Sequence, residues 1–354
     1  MGKISFLAWD VIEKKTRWVF EKFSLDNVIT SRVRIARNLK KYPFPHNMSY
    51  LEAKEVENIL LKELVRYPSD EIFVIKMDEI SNVEKQLLFE RRIISKEFVE
   101  SPIPSSVVIL PSEGISIMIN EEDHMRIQCL QSGSNLKKAL RKIEKVDNFM
   151  DERVEFAFSP DIGYLTACPT NVGTALRASV LIHLPALAIL NRTEEIFSAI
   201  EDIDIMVRGF YGEGSHPSGN IFQITTRETA GKSEREIIEE LEAVISVILE
   251  YEKEGVKEIM EKEDIKRKIE KKIKKIKKYN SITTEKFLYS FSFLCLGKKL
   301  EIINVGDRTL RNLIMSILPG HLQFNEKKEI SPLTRDIERG KIIKKKLRRV
   351  LNNV

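Results

Sequence analysis

The sequence has three cysteines, Cys129, Cys168 and Cys295, in 354 residues. They are too few and too scattered for a disulfide framework or a zinc site, so a reduced, cytoplasmic setting is expected. No apolar run approaches the roughly 20 residues a bilayer span requires, and no membrane association is expected. The opening MGKISFLAWDVIEKK lacks a continuous apolar stretch with a small-residue cleavage site, which argues against a secretory signal. It begins Met-Gly, yet Phe6 stands where the myristoylation pattern wants Ser or Thr. A P-loop is also missing. GKS occurs at Gly231 to Ser233, but Thr226 occupies the place of the motif's first glycine. There is no internal repeat and no low-complexity linker.

Hydrophobic residues make up 42% and charged residues 31%, a mixture able to bury a sizeable core. The length suggests two or three domains. The net charge of +5 is modest, but Lys266 to Lys278 and Lys341 to Arg349 are strongly basic. Nucleic acid or acidic proteins can partner such runs. Ile265, Ile269, Ile273 and Ile276, however, recur at helical spacing. The better reading is an amphipathic helix with a solvated basic face and no direct nucleic-acid contact.

The first 65 residues read as mostly helical, interrupted by two prolines in KYPFPHN at Lys41 to Asn47. Strands are predicted at Glu71 to Met77, Ser106 to Leu110, Ile115 to Asn120, Val154 to Phe158, Ile203 to Phe210 and Gly219 to Thr225. ALRASVLIHLPALAIL, after Thr174, reads as a buried helix. From Ser233 the pattern turns helical, with a capping box from Ser233 and Glu236. Composition shifts near residue 255 from mixed α/β to Lys- and Ile-rich helix. That predicts a domain of residues 1–255, with a small helical part over about 1–80 before the α/β part, and a helical domain of 256–354.

Four clusters can carry chemistry. In TSRVRIAR, Arg32 and Arg34 alternate with Val33 and Ile35, which puts both guanidiniums on one face of an extended segment. Two such forks suit a polyphosphate, although a solvated basic strand is the plainer reading of this segment alone. In NEEDHMRI, three acids follow an apolar strand beside Arg126. They can hold a cationic substrate, act as a general base, help hold a metal, or simply form an acidic turn. In CPTNVGT, Cys168 precedes a predicted helix, whose dipole and nearby arginines would lower its pKa. With no His partner it suits positioning a guanidinium better than covalent catalysis, and a packed, inert cysteine is the plainer reading. RGFYGEG, at Arg208 to Gly214, offers a mobile glycine-rich loop with one arginine and one carboxylate.

Taken together and in order, NEEDHMRIQCL, YLTACPTNVGTALRASV and RGFYGEGS resemble the guanidino (phosphagen) kinase family over roughly residues 25–235. Within it the chain is most similar to the bacterial protein-arginine kinase (McsB-type) branch, more loosely so through TRDIERGK. The resemblance implies an α+β fold, an antiparallel sheet flanked by helices, with a helical C-terminal domain. It implies ATP and Mg2+, with the phosphates gripped by Arg32, Arg34, Arg126, Arg177 and Arg208. The neighbouring Ser31, Val33, Ala178, Ser179, Val180, Gly209, Phe210, Tyr211 and Gly212 complete the nucleotide site. Glu122 and Glu213 match the carboxylates that bind the acceptor guanidinium. Of these Glu122 is the base, and Glu121 either supports the contacting residues from behind or lies on the magnesium side. Cys168 matches the cysteine beside that guanidinium. Arg92 and Leu181 stand where many members have a histidine near base and ribose, which leaves the adenine contacts open.

Arg32 arrives after only 31 residues, too few for the N-terminal domain that metabolite kinases close over a small substrate. An open site suits arginine on a protein. The resemblance further implies a dimer or higher oligomer, and an allosteric phosphoarginine site at Arg335 and Asp336. An ordinary helix-start ion pair is the rival reading of those two. Partners implied are proteins with exposed arginine, a heat-shock repressor, a Clp-type unfoldase and a small zinc-containing activator. A free-arginine or other metabolite kinase, and a non-catalytic adaptor, are the rival functions.

Overall fold

The computed structural model describes residues 26–201, 204–209, 218–227 and 231–352. β1 (Val28–Arg37) and a 3-10 turn (Pro45–Asn47) lead into α1 (Tyr50–Leu64), β2 (Phe73–Lys76), α2 (Asn82–Glu90) and α3 (Lys96–Val99). β3 (Ser106–Leu110), β4 (Ile115–Ile119), β5 (Met125–Ser132) and α4 (Leu136–Asp151) follow. After the short β6 (Phe158–Ser159) and β7 (Gly163–Tyr164) come β8 (Leu176–His183), α5 (Pro185–Ile189), α6 (Thr193–Glu201), β9 (Ile205–Arg208) and β10 (Ile221–Thr226). The remainder is helical: α7 (Glu234–Glu261), α8 (Glu263–Ile276), α9 (Thr284–Lys299), α10 (Asp307–Ile317), α11 (Pro319–Glu326) and α12 (Pro332–Asn352).

The main sheet has the order β2-β3-β4-β5-β1-β8-β10-β9. The ladders β2–β3, β3–β4, β4–β5 and β5–β1 are all antiparallel. β3 and β4 are buried along their whole length, as continuous apolar runs in a covered sheet should be. α4 presents Leu136, Ala139, Leu140, Ile143, Val146 and Met150 at helical spacing and packs on β5. Ser49 with Glu52, and Ser81 with Glu84, form capping boxes that start α1 and α2. The predicted box at Ser233 and Glu236 is also formed.

The chain divides into two compact units. Among the described residues, one comprises 30–180 with 225–242, and the other 26–29, 181–224 and 243–352. In the second unit α8 buries Ile269, Ile273 and Ile276 and turns its lysines outward, as the isoleucine spacing required. Two of its buried polar groups are paired. His183 Nε2 lies 2.9 Å from Ser292 Oγ, and Glu252 accepts from the Ala186 and Leu187 N–H groups at 2.9 Å each. Burial pushes Glu252 up to about 7, against those two bonds, and His183 down to about 3.

Three segments differ from the sequence reading. Residues 28–37, expected within a mostly helical stretch, are the central strand β1. Of the small helical part over 1–80, residues 1–25 lie outside the described residues, and the rest holds β1, α1 and β2. ALRASVLIHLPALAIL is strand β8 followed by the short α5 after Leu184. An apolar run with no periodicity fits either state, and here both faces of the strand are covered. The Val154–Phe158 run forms only the Phe158 pairing of β6, beside an isolated bridge from Phe156 to Leu39.

The composition shift near 255 falls inside α7, which runs through it unbroken. A Cβ on Gly255 would meet Ala186 Cβ and Leu190 Cδ1 at 3.3 Å. This glycine therefore marks the close approach of α7 to α5.

Candidate active site

Four of the five expected phosphate-binding arginines share one face of the sheet in the first unit. Arg32 and Arg34 are half-buried, while Val33 between them and Ile35 after them are buried in the core. The β1–β5 register sets Arg126 opposite Ala36, which places it on the Arg32–Arg34 face. On β8, Arg32 Nε donates to Ser179 Oγ at 3.3 Å, and Arg177 lies two residues before Ser179, on the same face. Ala178 and Val180 point the other way and are fully buried. Ser31 is buried too. Its hydroxyl donates to Gly133 O at 2.5 Å and accepts from Asn135 N at 2.9 Å, fixing the β5–α4 loop.

Arg208 ends β9 in the second unit, half-buried, and Gly209 follows it, buried. Phe210, Tyr211, Gly212 and Glu213 lie outside the described residues. Arg92 follows α2 with a left-handed backbone, φ 57°, and its carbonyl accepts from Gln128 Nε2 at 2.8 Å. Leu181 is 2% exposed.

The acidic loop joins β4 to β5. Asn120 starts it at φ 59°, held by bonds from its amide to Ala53 O and Pro104 O at 2.8 Å. The three acids then take different environments. The Glu121 side chain is 1% exposed and pairs with Arg126 Nη1 at 2.5 Å. It also accepts from Ser95 Oγ at 2.5 Å and Glu122 N at 2.9 Å. Burial raises its pKa, but Arg126, Ser95 and the Glu122 N–H outweigh burial and hold it below the usual carboxylate value. The Glu122 side chain is 41% exposed and reaches Arg126 Nη2 at 3.1 Å. Partial desolvation, with Asp123 and Glu121 nearby, pushes it upward against the pull of Arg126 and Arg177. A half-exposed carboxylate with a raised pKa, beside a fixed guanidinium, is suited to accept a proton. Asp123 is fully buried, and its pKa is raised by burial.

Cys168 is half-buried, with Sγ 3.1 Å from Thr170 Oγ1. That hydroxyl also accepts from Arg177 Nη2 at 3.0 Å, so one threonine joins the thiol to Arg177. The expected helix after Cys168 is absent. A single 3-10 turn, Pro169–Asn171, follows and the chain then enters β8, so no helix dipole acts on the thiol.

Sequence reasoning did not single out Asp123, Thr170 or Ser95. Nothing in NEED tells which of the acids is buried, and Ser95 comes from a separate segment. Among the described residues no group of three or more His, Cys, Asp or Glu is placed to hold a metal ion. The donors on the arginine face fit phosphate oxygens, and a bound cation there would take its ligands largely from phosphates and water. In the second unit, Arg335 and Asp336 lie in the first turns of α12. Asp336 Oδ1 pairs with Arg339 Nη1 at 2.6 Å. Arg339 is 1% exposed and also donates to Ile317 O and Ile282 O.

No helix among the described residues is long and apolar enough to cross a membrane. A family model for the ATP:guanido phosphotransferase C-terminal catalytic domain matches residues 54–255, and one for the protein-arginine kinase McsB C-terminal domain matches 262–353. A protein-arginine kinase from Halothermothrix orenii is 38% identical over 325 residues, 91% of this chain and 93% of that protein. One from Bacillus mycoides is 38% identical over 333 residues, with the same coverage. Among solved structures, a duplicated taurocyamine kinase from Schistosoma mansoni with bound transition-state-analogue components superposes with a TM-score of 0.60. It is 24% identical and covers 65% of this chain and 33% of its own. Lombricine kinase gives 0.56 at 23% identity, covering 70% of this chain and 77% of its own. These structures share the fold. With matches to both family models and relatives aligned over nine-tenths of its length, the chain belongs to the ATP:guanido phosphotransferases, in the protein-arginine kinase family.

Proposed function

We propose that this protein transfers the γ-phosphoryl group of ATP to arginine side chains of proteins. The observation that carries the reading is one sheet face bearing Arg32, Arg34, Arg126 and Arg177, with a half-exposed carboxylate and a thiol beside it. The arginines stabilise charge spread over the transferred group without reorganising, since the strands and Glu121 already fix them. Mg2+, held mainly by the phosphates, would neutralise further charge.

The acceptor guanidinium has a pKa above 12, so it must be oriented and must lose a proton as the N–P bond forms and the P–O bond to ADP breaks. Glu122 takes that proton and Cys168 helps hold the guanidinium; of the remaining family positions, Arg208 is assigned to the phosphates and Glu213 to the acceptor. Residues 1–255 form the phosphotransferase domain, and 256–354 a helical domain for dimerisation and phosphoarginine binding. The protein acts in the cytoplasm in a stress response, modifying a heat-shock repressor and marking proteins for a Clp-type unfoldase, under a small zinc-containing activator.

The test is incubation with ATP, Mg2+ and a basic unstructured protein, with free arginine in parallel. Acid-labile, base-stable phosphate on arginine residues, located by mass spectrometry, is expected. Phosphorylation of free arginine alone would make it a metabolite kinase, and no transfer at all would leave an adaptor.

A further inference from the structure

The Glu122 loop and the Cys168 segment are far apart in sequence, yet one buried carboxylate holds them together. Asp123 Oδ1 accepts from Ala167 N at 2.8 Å, next to Cys168, and from Asn38 Nδ2 at 2.7 Å, just past the end of β1. Asn38 is equally committed. Its Nδ2 also donates to Leu165 O at 3.0 Å, and its Oδ1 accepts from His124 N at 2.8 Å. Its backbone carbonyl accepts from Ala157 N at 2.7 Å. Both side chains are at most 1% exposed. Asp123 Oδ2 is buried with no hydrogen-bond partner among the described residues. Such an arrangement is costly to bury and does nothing for solubility. Its effect is geometric, because the side-chain bonds of the pair run between the end of β1, the acidic loop, and the residues leading to Cys168.

We propose that Asn38 and Asp123 are a positioning pair that locks the Glu122 loop to the Cys168 segment, so that an acceptor guanidinium meets base and thiol in one fixed geometry. The proposal rests on the reading of Glu122 and Cys168 as the acceptor side of the site. Neither Asn38 nor Asp123 touches substrate in this account. The arginine face is held separately by the sheet ladders and by Glu121, so loosening the pair disturbs the acceptor and spares the nucleotide.

The experiment compares Asp123→Ala and Asp123→Asn with wild type. Asparagine keeps an Oδ1 able to accept both bonds, and alanine removes them. Asp123→Ala is expected to lose about tenfold to a hundredfold in kcat/KM for a protein acceptor, the scale of a small misplacement of reacting groups, with ATP affinity within about twofold. Asp123→Asn is expected to keep its rate within about threefold of wild type. Iodoacetamide labelling of Cys168, which needs no turnover, should be faster in Asp123→Ala than in wild type or Asp123→Asn. Where Asp123→Ala does not fold, Asn38→Ser cuts the same tie from the other side and is read in its place.

Unchanged acceptor kinetics and Cys168 labelling in the alanine variant overturn the proposal. An asparagine variant as impaired as alanine also overturns it, because charge and not position would then be the requirement. A wild type without kinase activity defeats the proposed reaction instead, and the labelling comparison still decides the tie.

Discussion

Replacing Glu121 with glutamine separates the scaffold of the site from its chemistry. The carboxylate faces Arg126 Nη1 with both oxygens, at 2.6 and 2.5 Å, and also takes bonds from Ser95 Oγ and Glu122 N. Glutamine preserves the shape but aims an NH2 group at a guanidinium. Disrupting one partner of a buried ion pair costs about 3–5 kcal/mol. Arg126 retains Glu122, but a half-exposed pair contributes only about 0–1 kcal/mol. A destabilisation of about 3 kcal/mol follows. At about 2–4 °C per kcal/mol for a unit of this size, the melting temperature should fall by about 6–12 °C.

The pH dependence has a definite sign. The folded-state pKa of Glu121 lies below its ordinary 4.5, so its stabilisation is complete above that value and is lost as pH falls through the folded one. Calorimetric scans of wild type and variant should therefore differ by a constant amount near neutrality. They should converge as pH falls below the ordinary carboxylate value of 4.5 and through the lower folded-state one. A shift smaller than about 2 °C, or a gap that widens on acidification, refutes the assignment of Glu121 as the buried anchor of Arg126.

Glu122→Gln should lower kcat by about 10² to 10⁴ while ATP affinity, measured by calorimetric titration, stays near wild type; a variant keeping more than about a tenth of the rate is not missing its base. Because the Glu122 pKa is raised, the acidic limb of the wild-type kcat/KM profile should lie above the ordinary carboxylate value of 4.5, with activity rising as Glu122 deprotonates. Iodoacetamide should label Cys168 in the folded protein and spare the buried Cys129 and Cys295, as peptide mapping would show, and ATP with acceptor should protect it. Asp336→Ala breaks the bond to the buried Arg339 and should destabilise the helical region by about 1–3 kcal/mol in denaturant titration. Arg335→Ala is therefore the cleaner probe of phosphoarginine coupling, and light-scattering and rate curves against free phosphoarginine that match wild type would leave the pair a purely structural feature.

The family was legible in the sequence because its signatures reside in short contiguous strings. Arg32 and Arg34 alternate with apolar neighbours and so share one face of any extended segment, but the stretch around them reads as mostly helical, and only the sheet makes it β1. The isoleucine spacing of α8 and the Ser233–Glu236 cap are likewise local, since helix periodicity and capping bonds span only a few residues. What tertiary structure alone decided is how such strings are sorted. The run ALRASVLIH is apolar enough for either a buried helix or a central strand, and only its neighbours in the sheet make it β8. Three consecutive acids look alike in sequence. The fold buries Glu121 against Arg126, leaves Glu122 half-exposed and encloses Asp123 completely. Cross-strand register brought Arg126 to the face of Arg32 and Arg34, and a pairing between residues 38 and 123 cannot be read from either segment. Local patterns set which groups are available, and desolvation and register, both products of distant chain segments meeting, set which of them carry charge and where it points.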